Sequence, residues 1–169
     1  LRESRGGPLL ARLGGVERPI YGLDPYVGCL SGCKFCYVQG RVQSWREALG
    51  LRDAAWGSWA DVRVDAPETL AKELEALHPL PIKISPIVTD PYQPLERRYE
   101  FTRRCLQVLI DKGYAEPVIV LTRSALVLRD VELLLQLPSA WVGMSVPTLD
   151  DATRERLEPR AASIPERLS

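Results

Sequence analysis

The stretch Ile82–Thr122, IKISPIVTDPYQPLERRYEFTRRCLQVLIDKGYAEPVIVLT, decides the fold because two short apolar runs flank a long amphipathic segment. The runs, Ile82–Val88 and Pro117–Thr122, are rich in β-branched residues and have the length of buried strands. Between them, Pro94 opens a segment with apolar residues at helical spacing, and Gly113 provides its C-terminal stop. A strand, a helix and a second strand in this order predict a parallel βαβ unit.

The alternation of extended and helical segments continues on both sides of this unit. Upstream, Ile20–Gly28 is an extended segment, and Asp65 is placed to cap a helix that has proline near its first turn. Downstream, the pattern predicts a helix over Asp130–Leu137, a strand over Ala140–Val146 and a last helix capped by Asp150. The chain therefore contains four βα units in a row, which suits a doubly wound sheet or part of a βα barrel.

Length and composition indicate one ordinary domain. The chain has 169 residues, of which 46% are hydrophobic and 26% charged, and its 22 basic and 22 acidic residues cancel. A net charge of zero gives no indication of a nucleic-acid partner, although a local basic groove remains compatible with one. No apolar run reaches the ~18–20 residues of a membrane span, and the start does not resemble a signal peptide, so we expect a cytoplasmic protein without a membrane partner. Residues 1–19, rich in Gly and Arg, predict a loosely ordered arm.

Three of the four cysteines lie within eight residues. Cys29, Cys33 and Cys36 have the spacing C-x3-C-x2-C on a glycine-containing loop, and the fourth is Cys105. Such close spacing does not suit a disulfide framework, and clustered thiols in a chain without a secretory signal indicate a metal site.

Two kinds of metal site are compatible with three clustered cysteines. Zinc needs a fourth ligand, and the only candidates, Cys105 and His78, each have a structural explanation: the first lies on the apolar face of a helix, and the second ends a helix. An iron–sulfur cubane fits three cysteines better, because one iron is then left open to a substrate or cofactor.

The surrounding residues resemble the radical SAM superfamily. Asp24–Tyr37, DPYVGCLSGCKFCY, resembles the cluster loop of these enzymes, including the aromatic residue before the third cysteine. Three further strings resemble the branch related to spore photoproduct lyase: TDPYQPLE at Thr89–Glu96, LTRS at Leu121–Ser124, and LEPR at Leu157–Arg160. The resemblance implies a radical SAM core over residues 20–169, folded as a partial βα barrel. Because the family barrel usually has six units, we expect a truncated chain whose exposed sheet edges favour association.

The resemblance also implies the cofactors. In this family, Cys29, Cys33 and Cys36 would hold a [4Fe–4S] cluster, and S-adenosylmethionine (SAM) would bind the open iron. An electron from a reductant such as flavodoxin or ferredoxin then cleaves SAM to methionine and a 5′-deoxyadenosyl radical, which abstracts hydrogen from a substrate that the sequence does not identify. The protein contributes placement and exclusion of water.

Four further residues are candidates for binding SAM. Tyr37 would lie beside the adenine, Asp90 at the ammonium, Arg123 at the carboxylate and Ser145 at the ribose or carboxylate. Each also has a simpler explanation: packing of a tight loop for the tyrosine, a turn for the aspartate, a surface salt bridge for the arginine, and a small residue inside a barrel for the serine.

Several features leave other functions open. Spore photoproduct lyases carry a hydrogen-donor cysteine where this chain has Val88, Thr89 and Asp90, so repair of that thymine lesion is not expected. A non-catalytic zinc- or cluster-binding module, or an inactive truncated remnant, is the alternative to an enzyme. The sequence assigns no role to Glu158 or Arg160.

Overall fold

A computed structural model describes residues 1–14 and 18–168. Within them the protein is a mixed α/β fold whose strands form two sheets: β1 (Arg2–Ser4), β2 (Leu10–Leu13), β3 (Ile20–Leu23), β4 (Tyr26–Val27), β5 (Asp61–Arg63), β6 (Ile82–Ile84), β7 (Val118–Thr122) and β8 (Ala140–Met144). The helices are α1 (Val38–Arg41), α2 (Gln43–Ala48), α3 (Ala66–Ala76), α4 (Glu96–Tyr99), α5 (Phe101–Asp111), a 3₁₀ helix (Ala125–Asp130), α6 (Val131–Leu134), α7 (Asp151–Leu157) and α8 (Ile164–Leu168). None of these helices has the length and apolar character needed to cross a membrane.

The larger sheet has the strand order β2-β3-β6-β7-β8. Its last four strands are parallel, and β2 runs antiparallel to β3 at one edge. This arrangement confirms the predicted parallel βαβ units. The parallel strands follow one another without a reversal of order, and among the described strands the sheet stays open.

One face of this sheet forms the main core. Ile82 and Ile84 of β6 are buried beside Val118 and Val120 of β7, and the register pairs them directly. Helices α3 and α5 cover this face, and each fully buried aliphatic side chain stabilises the fold by about 1.5–3 kcal/mol. On the opposite face, Trp141 of β8 is 68% exposed. The sheet is therefore covered on one side in the described part of the chain.

The N-terminal segment is more ordered than the sequence predicts. Strand β1 pairs with β5, and β2 pairs with β3. Between these strands, the Arg63 guanidinium donates to the carbonyls of Gly6, Gly7 and Pro8. The Glu73 carboxylate accepts the N–H groups of the first two residues after Pro8. These contacts come from charged residues more than fifty positions away, which the composition of the expected loose arm does not reveal, and residues 15–17 of that arm lie outside the described residues.

The long helix predicted after Pro94 is two helices, α4 and α5. Glu100 separates them in the left-handed conformation, with φ 54°. The buried Glu96 carboxylate accepts the N–H groups of Thr102 and Arg103 at the start of α5. It thus supplies acceptors and negative charge where a helix N-terminus needs both.

The two predicted aspartate caps have different outcomes. Asp150 accepts the Thr153 N–H at 2.9 Å, which confirms it as the N-cap of α7. The prediction for Asp65 is wrong, because its side chain makes no capping bond and instead accepts the N–H of Gly6 at 2.7 Å. A long-range partner therefore replaces the local one.

Candidate functional site

The three clustered cysteines lie on the loop Gly28–Tyr37, here called the cysteine loop, which connects β4 to α1. Two contacts attach it to the residues that follow β6: the Gly28 N–H donates to the Val88 carbonyl at 3.0 Å, and the Tyr37 hydroxyl donates to the Pro86 carbonyl. The loop therefore lies at the C-terminal ends of the parallel strands. Gly28 has φ 79°, and a Cβ there would come within 2.7 Å of the Trp59 ring, so this position requires glycine.

The cysteine thiols share one small cavity with Thr89, Asp90 and Arg123. Cys29 and Cys33 are almost completely buried, whereas Cys36 is partly exposed. Burial raises the pKa of Cys29, and it raises the pKa of Cys33 to about 12. In the metal-free protein both thiols are therefore protonated near neutral pH, and binding a metal would displace their protons.

Neither of the two residues that the sequence offered as a fourth zinc ligand lines the cavity of the three cysteines. Cys105 lies in the main core on α5, and the charged groups that shift its pKa, Glu96, Glu68 and Arg63, do not line the cavity of the cysteine loop. His78 is exposed beyond the end of α3. Among the described residues, no three His, Cys, Asp or Glu side chains converge on a position for one ion.

Arg123 directly follows β7 and approaches the cysteine loop. Its Nη1 donates to Cys33 Sγ at 3.1 Å, and its guanidinium lies over the Phe35 ring, 5.8 Å from the centroid. Burial alone would lower the pKa of Arg123, but the attraction of Cys33, Asp90 and Glu158 outweighs it and raises the pKa above its usual value. The side chain is only 12% exposed, so it is not part of a surface salt bridge.

Asp90 uses its carboxylate to join the strand ends. Its Oδ1 accepts the Thr122 hydroxyl at 2.6 Å and the Tyr92 N–H at 2.9 Å. Its Oδ2 accepts the backbone N–H of Arg123 at 3.1 Å, and the Arg123 Nε lies 3.6 Å away. The carboxylate thus already orients the residue that approaches the cysteine loop.

The structure brings the other three predicted SAM-binding residues around one cavity. Tyr37, Arg123 and Ser145 line a space of about 230 Å³ together with Cys36. Ser145 directly follows β8, and its N–H donates to the Thr122 carbonyl at 2.7 Å. Asp90 instead lines the neighbouring small cavity of the three thiols, and Arg123 lines both.

Gln93 holds the cysteine loop and was not identified from the sequence. Its Oε1 accepts the Leu30 N–H at 2.9 Å, and its Nε2 donates to the Gly28 carbonyl and to the Thr89 hydroxyl oxygen. The Thr89 hydroxyl in turn donates to the Gly28 carbonyl at 2.7 Å. The string TDPYQPLE contained both residues, but only the folded chain shows that they bind the loop backbone.

The string LEPR also gains a role in the structure. Arg160 Nη1 donates to the Leu30 carbonyl at 2.8 Å and also to the Gly57 carbonyl. The Lys34 N–H donates to the Leu157 carbonyl at 2.9 Å. Glu158 is fully buried and forms an ion pair with Arg123. The segment Leu157–Arg160 therefore binds the backbone of the cysteine loop at Lys34 and Leu30.

The donor set fits an anionic metal–sulfur group. Three thiols face one cavity, and the guanidinium of Arg123 lies against one of them. Trp56 lines the same cavity, and its buried indole N–H has no acceptor among the described residues. Cations and N–H donors around cysteine sulfurs stabilise the negative charge of an iron–sulfur cluster.

Two curated proteins are similar to this chain. It is 30% identical over 148 residues to an uncharacterized protein of Methanocaldococcus jannaschii. The aligned region covers 88% of this chain and 52% of that protein. It is 26% identical over 146 residues to a Pseudomonas phage M6 protein named radical SAM Nalpha-GlyT isomerase. The aligned region covers 86% of this chain and 28% of that protein. The chain thus spans about half of one relative and less of the other. No family model matches the chain, and no solved structure matches it significantly.

Proposed function

We propose that this chain is a radical SAM iron–sulfur protein whose open sheet is part of a βα barrel. The observation that carries the proposal is the position of the cysteine loop: three thiols lie at the C-terminal ends of parallel strands, where Arg123 contacts one of them. In βα barrels this end of the strands carries the active site. The distant similarity to a protein named as a radical SAM isomerase supports the same assignment.

In this proposal, Cys29, Cys33 and Cys36 hold a [4Fe–4S] cluster, and SAM binds in the adjoining cavity of about 230 Å³. The chemistry supplied by the bound cofactors is one-electron cleavage of SAM to a 5′-deoxyadenosyl radical that abstracts hydrogen from a substrate. The cysteine loop places the thiolates and keeps two of them away from water. The electron comes from a small reductant protein such as flavodoxin or ferredoxin.

Two other residues of this chain would bind SAM directly. Arg123 presents its guanidinium to the carboxylate of SAM, and Ser145, which lines the same cavity, contributes its hydroxyl. The Tyr37 hydroxyl is occupied by the Pro86 carbonyl, so this residue contributes its ring. Asp90 serves by fixing the backbone at Arg123, since its oxygens already accept three hydrogen bonds, one of them from the Arg123 N–H.

The metal content tests this proposal. Protein reconstituted without oxygen should bind about four iron and four sulfide per chain, the stoichiometry of one cubane. Cys33→Ala should abolish this binding, and Cys105→Ala, a matched change of a buried thiol outside the loop, should not. Stoichiometric zinc without iron, or loss of metal in the Cys105 variant, would contradict the proposal.

A second assay separates an enzyme from a cluster-binding module. Reconstituted protein with dithionite should release 5′-deoxyadenosine from SAM. Iron at full stoichiometry without any SAM cleavage would favour the module.

We expect no conversion of spore photoproduct to two thymines, because the strand end carries Val88 and Thr89 where a thiol would be needed, and C–H and O–H groups donate hydrogen poorly. Repeated turnover to thymidylyl-thymidine would contradict this expectation.

A further inference from the structure

Glu158 is a fully buried carboxylate between two arginines. Its Oε1 forms an ion pair with Arg123 Nη1, and its Oε2 lies 2.8 Å from Arg167 Nη1. The side chains of Glu158 and Arg167 are both 0% exposed. Burying three charges is costly unless each one is paired. An arrangement of this kind needs a reason beyond the apolar core.

The two arginines lead from this carboxylate to different parts of the candidate site. Arg167 donates to the carbonyls of Ser145 and Ala162, at the end of β8 and before α8. Arg123 donates to Cys33 Sγ from the same nitrogen, Nη1, that binds Glu158. Glu158 therefore connects the end of β8 to the cysteine loop.

Asp90 does not determine where this nitrogen points. Its oxygens mainly accept the Thr122 hydroxyl and two backbone N–H groups, and its contact with the guanidinium is at Nε, 3.6 Å away. Among residues 1–14 and 18–168, the carboxylate that contacts Nη1 of this guanidinium, beside the Cys33 thiol, is that of Glu158. A charged pair in this geometry restricts an otherwise flexible side chain.

We propose that Glu158 is a positioning residue that holds the Arg123 guanidinium against the Cys33 sulfur. The functional consequence rests on the proposed function, because Cys33 must ligate a cluster for the contact to matter in catalysis. A hydrogen bond to a ligating sulfur raises the reduction potential of an iron–sulfur cluster. Glu158 would thereby help to set the potential at which the protein accepts its electron.

The sign of the effect distinguishes positioning from simple electrostatics. Removing the negative charge of Glu158 would by itself raise the cluster potential. Releasing Arg123 from the sulfur would lower it. The double variant Glu158→Gln/Arg167→Gln removes one charge of each sign, leaves the net charge unchanged and does not leave Arg167 buried without Glu158, while Arg123 keeps the Asp90 carboxylate.

The first experiment measures the cluster potential of this double variant. We expect full iron content and a potential below that of the wild type. Arg123→Gln should lower the potential as well, and adding it to the double variant should lower the potential less than it does in the wild type, since both alterations remove the same contact. Glu155→Gln is the matched control on α7, because Glu155 is exposed and pairs with Arg154. A wild-type potential in the double variant, or fully additive shifts, would overturn the proposal.

A second measurement does not depend on the cluster. In the metal-free protein, the Nη–H signals of Arg123, assigned by their loss in Arg123→Gln, should be protected from exchange, because Nη1 contacts both Glu158 and Cys33. We expect this exchange to be at least tenfold faster in the double variant than in the wild type. Unchanged protection would overturn the positioning role, whereas absence of iron in the wild type would count against the proposed function alone.

Glu158→Asp serves as the second variant if the double variant does not fold. It keeps the charge but withdraws the carboxylate by one methylene. We expect a partial loss of Arg123 protection and a smaller shift of the potential in the same direction. No change in either quantity would overturn the proposal.

Discussion

Different interactions stabilise the main core and the cysteine loop. In the core, Ile82, Val118 and Leu106 are fully buried in an apolar cluster, and their contribution depends on area and packing. The cysteine loop is held by hydrogen bonds from Gln93 and Arg160 to its backbone. Because these contacts are few and directional, the loss of a single polar partner should loosen the cysteine loop. Four changes test this contrast.

Removing core volume should have the largest effect on stability. Leu106→Ala deletes a fully buried side chain on α5 and should lower the free energy of unfolding by about 2–5 kcal/mol. The iron content of the fraction that remains folded should stay the same, because the side chain lies away from the cysteine loop. Denaturant titration and iron analysis together check this. Loss of iron in the folded fraction would contradict the separation between the two regions.

Removing the side chain that binds the loop backbone should have the opposite pattern: a smaller loss of stability, together with faster loss of iron. Gln93→Ala leaves the Leu30 N–H without its side-chain partner and the Gly28 carbonyl with Thr89 as its remaining side-chain donor, and should cost about 1–3 kcal/mol. We expect iron to be released to a chelator faster than from the wild type. Gln136→Ala is the control, since this exposed amide follows α6 and donates to the nearby Glu132 carbonyl, away from the cysteine loop. Equal release rates in the two variants would argue that Gln93 does not hold the loop.

Removing the cation at the thiols should affect SAM more than iron. Arg123→Ala should weaken SAM binding by ~1–3 kcal/mol if the partly buried guanidinium binds the carboxylate. Isothermal titration of the reconstituted protein measures this affinity, and iron analysis provides the reference. An unaltered affinity would remove Arg123 from the proposed SAM site.

The smallest effect concerns pH in the metal-free protein. Burial raises the pKa of Cys33 to about 12, whereas a thiol in the unfolded chain titrates near ~8.5. The folded state thus keeps a proton that the unfolded state loses, so stability is complete below pH ~8.5 and falls as the pH rises towards 12. Denaturation midpoints should decline less steeply between pH 8 and 10 in Cys33→Ser. Parallel declines in the two proteins would contradict this assignment.

Much of the fold was accessible from short-range patterns. Strand and helix spacing along Ile82–Thr122 predicted the parallel βαβ units, because hydrophobic periodicity is a local property of the chain. The three cysteines share one cavity because only a few residues separate them. Helix boundaries were less accessible, since the division at Glu100 depends on the Glu96 carboxylate reaching the start of α5.

The sequence by itself determined that successive βα units give parallel strands and that three closely spaced thiols can share a cavity, since both follow from short-range patterns. Only the tertiary structure decided what holds the thiols in place. Gln93 binds a residue 63 positions away, and Arg160 binds one 130 positions away. A polar side chain carries no local pattern that identifies so distant a partner. The roles of Glu158 and of the ordered N-terminal segment emerge only when the folded backbone brings unpaired donors and acceptors together.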